Sequence, residues 1–219
     1  MSLEEIDDLF YLLENPTRRR ILQLLSRERL YPLQLSREID VSQQAVVKHL
    51  RILEEHGMVA SRDEPSDRGP NRRVYRASRS VSLHIDVGPT TFREQAAPMA
   101  EDAELSAEQL RIRSAIAEAR NMEPSARMDL LARVGEDLRH SLRDHEQERQ
   151  QLLALIGELN REVGRCSRKA DCSYDERRLL HHMLQNPNYT IEGAAAALGL
   201  REAEVRLLLA GLEQRGLAR

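Results

Sequence analysis

The feature that most constrains the fold is the stretch 35–59, where a tight turn separates a short helical pattern from a longer one. Ser42 is suited to begin the longer helix, because its hydroxyl can accept a bond from a first-turn amide. Gly57 suits the left-handed residue at which a helix ends. The apolar residues of the longer helix recur at helical spacing and predict a buried face, made of Val46, Leu50 and Leu53. The stretch therefore predicts a helix-turn-helix with its turn at Asp40-Val41.

Outside that apolar face, the longer helix carries side chains that donate hydrogen bonds. Such groups suit the edges of DNA bases and the oxygens of phosphates. A helix-turn-helix places its second helix in the major groove of DNA. The residues of this segment predicted to bind double-stranded DNA are Ser42, Gln43, Gln44, Lys48, His49 and Arg51.

Two helical patterns precede this motif and a hairpin pattern follows it. Asn15-Pro16 begins the second helix, with Asn as its cap and Pro at its first position. Beyond Gly57, two short strands at 59–62 and 72–77 flank a loop that contains Pro65, Gly69 and Pro70, which predicts a β-hairpin, or wing.

Local charge supports DNA as the partner. The whole chain has a net charge of −3, but residues 15–80 carry 14 Lys and Arg against 8 Asp and Glu, a net of +6. Arginines on a hairpin beside such a helix are suited to phosphate contacts, although any one of them could be an ordinary solvated side chain. The arginines predicted to bind DNA are Arg18, Arg19, Arg68, Arg72, Arg73 and Arg76.

Four segments near the start of the chain, 15–22, 35–38, 45–50 and 53–57, resemble the ArsR-type winged-helix transcription regulators. Within that family, the chain is most similar to the archaeal branch that contains the heat-shock and sulfur-response regulators. The resemblance covers about residues 3–92 and implies a homodimeric repressor or activator at promoters. Metal-sensing relatives carry a pair of cysteines in the helix that corresponds to 33–39, and this chain has none there. The sulfur-response regulator has a redox pair of cysteines where this chain has 27–30, and that pair is also absent.

The composition limits the other classes of function. No apolar run approaches the roughly 20 residues that span a bilayer, and no signal-peptide pattern begins the chain, so we expect a cytoplasmic protein without membrane contact. The sequence has no nucleophile elbow, no phosphate-binding glycine loop and no cluster of metal ligands. We therefore predict no enzymatic activity, no catalytic residue, no metal and no cofactor.

The middle of the chain changes from strand to heptad periodicity. Alternating Leu83, Ile85 and Val87 predict one strand that leaves the wing, and the mixed run after Gly88-Pro89 predicts a linker with a short helix from Ser106. The segment 125–165 has heptads typical of a coiled coil between subunits, the alternative being a helix packed on its own domain. The predicted dimer residues of this helix are Leu131, Leu138, Leu142, Leu152, Ile156, Leu159 and Val163.

The end of the chain repeats its beginning. A gapless shift aligns 18–57 with 177–216 and predicts a second, degenerate helix-turn-helix without a wing. The DNA-facing positions have become acidic, small or apolar, which favours protein contact over DNA contact. Leu207 and Leu208 are predicted to be exposed and to join the dimer interface, while Arg201, Arg206 and Arg215 leave nonspecific DNA binding open.

Two thiols, Cys166 and Cys172, lie where the heptads meet the second copy. Neighbouring cations could lower their pKa and favour oxidation, so they are candidate redox residues, although incidental free cysteines are the simpler interpretation.

Together these patterns predict a mainly α fold with a small β wing. The predicted order is a winged helix-turn-helix at 1–92, a linker with a short helix at 93–124, a coiled-coil helix at 125–165 and a second, degenerate helix-turn-helix at 166–219. The predicted function is a sequence-specific transcription regulator that acts as a homodimer. We expect it to repress promoters and to respond to stress or to redox change, through an effector that the sequence does not identify. The alternative is an architectural or adaptor protein that binds DNA loosely.

Overall fold

The computed structural model describes residues 3–66, 69–99 and 104–218. Its contacts divide the chain into two compact units. The first comprises residues 1–85 and 94–103, and the second comprises residues 86–93 and 104–219. The predicted mainly helical fold with a small β wing and a long central helix is confirmed.

The first unit begins with four helices and a hairpin. They are α1 (Leu3–Glu14), α2 (Pro16–Leu25), α3 (Pro32–Ile39), α4 (Gln43–Glu55), β1 (Val59–Ser66) and β2 (Gly69–Ala77). Asn15 caps α2 as predicted, because its Oδ1 accepts bonds from the amides of Thr17 at 3.0 Å and Arg18 at 3.2 Å. The predicted turn is also confirmed, since Asp40 has a left-handed φ of 58° and the hydroxyl of Ser42 accepts from the amide of Ala45 at 3.2 Å.

The wing is an antiparallel pair whose register runs from Val59 opposite Ala77 to Glu64 opposite Arg72. A bridge from Leu30 to Tyr75 ties the wing to the segment between α2 and α3, with amide-to-carbonyl distances of 3.1 and 2.9 Å. The core beneath the wing contains side chains from all four helices, including Leu9, Ile21, Leu35, Val46, Leu50 and Leu53.

A second hairpin follows the wing, where a single strand and a linker were expected. Its strands are β3 (Val81–Gly88) and β4 (Thr91–Pro98). Only two residues, Pro89 and Thr90, join them, and this tight reversal lets the second strand satisfy the backbone of the first. Val81, Leu83 and Ala96 pack partly against the core of the first unit.

The second unit contains the central helix and a terminal group of helices. They are α5 (Ala107–Glu118), α6 (Pro124–Lys169), α7 (Tyr174–Gln185), α8 (Ile191–Leu198) and α9 (Glu202–Gln214). The short helix predicted from Ser106 is confirmed, and the hydroxyl of Ser106 caps it by accepting a hydrogen bond from the amide of Gln109 at 3.2 Å. The side chain of Arg127 donates to three carbonyls of the turn between α5 and α6, those of Ala119, Arg120 and Met122, and so holds this turn to the start of α6.

Helix α6 is 46 residues long and spans about 70 Å at 1.5 Å per residue. The tip of the second hairpin packs on its later half. Thr90 donates to the carbonyl of Gly157 at 3.2 Å, Asn160 donates to the carbonyl of Thr90 at 2.9 Å, and Arg149 holds both carboxylate oxygens of Asp86 at 2.9 Å. Arg149 is therefore bound within its own chain.

Two of the terminal helices have the bounds of two helices of the first unit, shifted by the offset found in the sequence. Helices α3 and α4, moved by that offset, coincide with the bounds of α8 and α9. The left-handed residues coincide too, with Gly199 in place of Asp40 and Gly216 in place of Gly57. The buried residues Val205 and Leu212 stand where the first unit buries Val46 and Leu53.

Candidate nucleic-acid interface

Helix α4 has one buried face and one polar face. Val46, Leu50 and Leu53 have no exposed surface, so the rotation of the helix on its core is fixed. The opposite side is open to solvent and carries the donors Gln44, Lys48 and Arg51, while Gln43 is exposed at the first position of the helix. Because the helix cannot turn without exposing three large apolar side chains, these donors keep one common orientation.

His49 is different from its neighbours on α4. The side chain is half-buried, and among the described residues its Nδ1 is a buried atom without a hydrogen-bond partner. Burial, followed by the positive charges of Arg18 and Lys48, lowers the pKa of His49, so the ring is neutral at pH 7. Any contact of His49 with DNA would therefore use the other side of the imidazole ring.

The wing is connected to α4 by a charged network. Arg73 on β2 donates to both carboxylate oxygens of Glu54 on α4, at 3.0 and 3.1 Å, and to the hydroxyl of Ser61 at 2.8 Å. Ser61 donates to Glu54 at 2.5 Å. These bonds, that from Ser61 first, lower the pKa of Glu54, so the carboxylate stays charged and keeps the wing in place beside α4.

Two other wing arginines lie open to solvent. Arg72 is exposed and its guanidinium lies 5.3 Å from the ring centre of Tyr31. Arg76 is also exposed, at the base of the wing. Arg72 and Arg76 form no ion pair within the described residues, so both guanidinium groups can bind an anion. Arg68 lies outside the described residues.

Arg18, which was predicted to bind DNA, is buried, so the structure does not place its guanidinium on the exposed surface of the first unit. Arg18 is only 4% exposed and its Nε donates to the carbonyl of Leu12 at 2.7 Å. Its Nη2 donates to the carbonyl of Tyr11 and lies 3.6 Å from the carboxylate of Glu14. A helix leaves its last carbonyls without partners, and Arg18 satisfies two of those at the end of α1.

Arg19 lies next to it but at the surface. Its guanidinium donates to the carbonyls of Leu13 and, at 2.8 Å, Glu14, while the side chain stays exposed. A role of Arg19 in DNA binding remains a prediction. The sequence analysis missed two residues of this region, Glu54 and Tyr31. Both contact arginines of the wing, and these contacts exist only because the hairpin folds back beside the helices.

The surface of α9 that corresponds to the polar face of α4 has different chemistry. Arg201 pairs with Glu204 at 2.7 Å and Arg206 with Glu202 at 3.3 Å, so both arginines are neutralised locally. The bonds from Arg201 hold the pKa of Glu204 at about 2. This surface therefore presents paired charges, alanines and a leucine where α4 presents donors.

The predicted exposed pair on α9 is only half correct. Leu207 is 74% exposed, whereas Leu208 packs partly against the core of its own unit. Adjacent residues lie about 100° apart around a helix, so one can face the core while the other faces solvent. Leu208 is thus not part of an exposed apolar patch.

The two thiols also differ. Cys166 is exposed, Cys172 is buried, and both are free cysteines. A redox role for this pair remains a prediction.

The geometry defines the first unit as a winged helix-turn-helix domain, and comparison with known proteins agrees for its central part. Residues 13–62 match the model of a helix-turn-helix domain. No curated protein matches the chain.

Three solved structures are similar to part of the chain. Reduced HlyU from Vibrio cholerae N16961 is 28% identical, with 34% of this chain and 74% of that chain covered and a TM-score of 0.31. HlyU from the same organism is 28% identical over 36% and 82% of the two chains, with a TM-score of 0.31. An ArsR family transcriptional regulator is 27% identical over 36% and 75%, with a TM-score of 0.29.

None of the helices in the described residues is both long and apolar enough to cross a membrane. No group of three or more His, Cys, Asp or Glu side chains in those residues could hold a metal ion.

Proposed function

We propose that this protein is a DNA-binding transcription regulator that reads sequence with α4 and binds the DNA backbone with its wing. The observation that carries the proposal is the fixed polar face of α4, where Gln44, Lys48 and Arg51 lie opposite three fully buried apolar residues. Glutamine amides can bond adenine in the major groove, and lysine or arginine can bond guanine. Gln43, Gln44 and Lys48 lie in the first turns of the helix, the part that a helix-turn-helix directs at base edges.

The wing supplies the second part of the interface. Arg72 and Arg76 are exposed cations without a carboxylate partner in the described residues, which suits contact with phosphates. Arg73, fixed to Glu54, sets the position of the hairpin relative to α4 within the first unit. Contacts with phosphate release counterions and make affinity fall with salt, whatever the DNA sequence.

We further propose that the regulator acts as a homodimer and represses promoters by occupying them. The exposed apolar residues along α6 support the dimer, since Leu138, Leu142, Leu152, Ile156 and Leu159 are 37–69% exposed in the single chain. A partner helix would remove this surface from water, and twofold pairing is the commonest arrangement of soluble oligomers. Two α4 helices could then bind two half-sites about 34 Å apart.

The second copy supports an alternative. Its α9 surface carries paired charges and an exposed leucine, which suits a protein partner, so the chain could be an architectural or adaptor protein with loose DNA binding. The two candidates differ in sequence specificity.

The test is selection of bound duplexes from a random DNA pool by the full chain, followed by footprinting of the selected site. The regulator predicts a defined site made of two related half-sites and protection limited to it. Uniform recovery of random sequences would contradict sequence-specific regulation and favour the architectural role.

A further inference from the structure

A groove in the second unit has no part in the proposed DNA interface. It lies where the last turns of α6 meet α7, with Leu198 at the end of α8 as a further wall, and it has a volume of about 470 Å³. That volume is in the range of small-molecule sites. Its ionisable lining consists of Arg168, Tyr174, Arg177, Arg178, His181 and His182.

The lining contains positive charge and no carboxylate. Arg178 is partly neutralised, because its Nη1 lies 3.1 Å from Asp175, and its Nη2 donates to the carbonyl of Leu198 at 2.7 Å. Arg177 donates to the carbonyl of Cys172 at 2.5 Å, which fixes its guanidinium without neutralising it. Arg168 is exposed at the end of α6. Neither Arg168 nor Arg177 forms an ion pair within the described part of the chain.

This charge is unlike that of the surrounding surface. Residues 171–218 contain five arginines against seven carboxylates, so this segment has a net charge of −2. Outside the groove, its arginines pair with glutamates: Arg201 with Glu204, Arg206 with Glu202 and Arg215 with Glu176. Arginines outside the groove are thus neutralised by glutamates, whereas Arg168 and Arg177 in the groove keep their positive charge.

We propose that this groove binds a small phosphate-bearing anion. Two guanidinium groups without carboxylate partners match the double charge of a phosphate, and their N–H groups can bond its oxygens in pairs. His181 and His182 add two imidazoles to the same wall. A concave site suits a small anion, whereas a DNA backbone would also lie against the rest of this segment, whose net charge is negative.

Binding would connect two elements. Arg168 belongs to the last turn of α6, and Arg177 and His181 belong to α7. An anion bonded to both would fix the end of the long helix to the terminal helices. Such a ligand could be the signal to which a regulator responds. That consequence rests on the proposed function, but the binding itself does not.

The experiment is isothermal titration of the full chain with inorganic pyrophosphate, without DNA and at constant ionic strength. We expect saturable binding that Arg168→Gln weakens at least tenfold. The matched control is Arg143→Gln, another exposed arginine of α6 outside the groove, with affinity within twofold of the unchanged chain. His181→Gln is a second variant, expected to weaken binding several-fold, and circular dichroism verifies that each variant is folded.

Two results would overturn the proposal. One is that pyrophosphate binds the unchanged chain, Arg168→Gln and Arg143→Gln with equal affinity. The absence of binding by all three proteins would count in the same way. The other is weaker binding of Arg168→Gln to duplex DNA of every sequence in the absence of pyrophosphate, which would mean that the groove contacts the DNA backbone. Failure of the chain to bind specific DNA would affect neither pyrophosphate result, so this test is separate from that of the proposed function.

Discussion

Arg18 and Arg73 are both close to α4, but they use their guanidinium groups for different purposes. Arg18 is buried and bonds backbone carbonyls at the end of α1. Arg73 is largely exposed and bonds a carboxylate of α4. Arginine presents five donors in a rigid fork, so one residue type can hold a helix end in one place and a hairpin in another. Position in the fold, rather than charge, decides which arginines remain available to DNA.

Replacing Arg18 by Ala should destabilise the first unit by about 2–3 kcal/mol, because buried carbonyls of Tyr11 and Leu12 lose their donor. Chemical denaturation of the full chain measures the change. Arg20→Ala is the control, since Arg20 is exposed and bonds only the side chain of Gln23, at 2.7 Å. A stable Arg18→Ala protein that binds DNA more weakly would show that Arg18 contacts DNA after all.

Replacing Gln44 by Ala should cost about 1–3 kcal/mol at the selected DNA site and change binding to random DNA little, because an amide that bonds a base contributes only at the right base. Fluorescence anisotropy with the two duplexes measures both affinities. Gln147→Ala on α6 is the control, an exposed glutamine outside the first unit. An equal loss on both duplexes would exclude Gln44 from base reading.

The wing and α4 are held together by Glu54, Ser61 and Arg73. Replacing Arg72 and Arg76 together by Ala should weaken binding to all DNA sequences. The slope of log affinity against log salt should become about 2 units less steep, since each phosphate contact contributes about 0.9. Titrations at several salt concentrations measure the slope.

The control for the wing is Arg113→Ala combined with Arg143→Ala, which removes two exposed arginines of the second unit. The control and the wing variant each lose two positive charges. Any difference between their salt slopes therefore reports direct contact of the wing with phosphates and not the general attraction of a positive protein to DNA. An unchanged salt slope in the wing variant would place Arg72 and Arg76 away from the DNA backbone.

In the terminal helices, Glu176 is buried and links two segments. Burial raises its pKa, but bonds from the amide of Ser173 at 2.7 Å and from Arg215 at 2.6 Å outweigh that effect and leave the pKa below its ordinary value. A carboxylate with a lowered pKa stabilises the fold above its unfolded pKa of about 4.3, and this contribution is lost as pH falls through the folded value.

Glu176→Gln should therefore lower the free energy of unfolding by about 2 kcal/mol at pH 7 and make it less dependent on pH below about 4.3. Urea titrations of the full chain between pH 3 and pH 7 measure both effects. Glu192→Gln, at an exposed position of α8, should leave the curve unchanged. A Glu176→Gln curve parallel to that of the unchanged chain would contradict this account.

Local signals in the sequence were sufficient for much of this structure. Asn15, Ser42 and Ser106 cap their helices as predicted, because a cap depends on residues only two or three positions away. The repeat of 18–57 at 177–216 predicted the bounds of α8 and α9, since both copies bury the same positions.

The differences between the structure and the expectations all concern contacts that local patterns do not encode. Arg18 belongs to a basic run, yet the packing of α1 on α2 buries it. Leu208 resembles Leu207 in sequence, but the rotation of α9 on its core separates them. Strand β4 has weak strand character of its own and depends on pairing with β3. In the candidate site, the helix donors were predicted, but the Glu54 network was not.

At the scale of the whole molecule, the long helix α6 is the element with the most exposed apolar residues at its predicted dimer positions. Its predicted seam residues Leu142, Leu152 and Leu159 are 69%, 55% and 54% exposed. The hairpin tip covers Gly157 and binds Arg149, so part of the helix already has a partner within its own unit. The remaining apolar surface is what a second copy would bury.

The last prediction is that the full chain is a dimer that depends on this surface. A chain of 25.1 kDa should have a mass of about 50 kDa by light scattering at micromolar concentration. Changing Leu152 and Ile156 together to Asp should produce a monomer, because two charges in an apolar seam lose their hydration without gaining partners. The same change at Gln147 and Gln151, exposed positions of α6 outside the seam, adds equal charge and should leave the dimer intact.

The dimer should also determine how the protein binds DNA. On a site with two half-sites, the monomeric variant should lose affinity relative to the unchanged chain, because each α4 would then bind separately. On a single half-site, the variant and the unchanged chain should bind alike, since the first unit is the same in both. A monomeric unchanged chain at micromolar concentration would contradict the dimer. A dimer that persists with Asp at 152 and 156 would place the interface elsewhere on the chain.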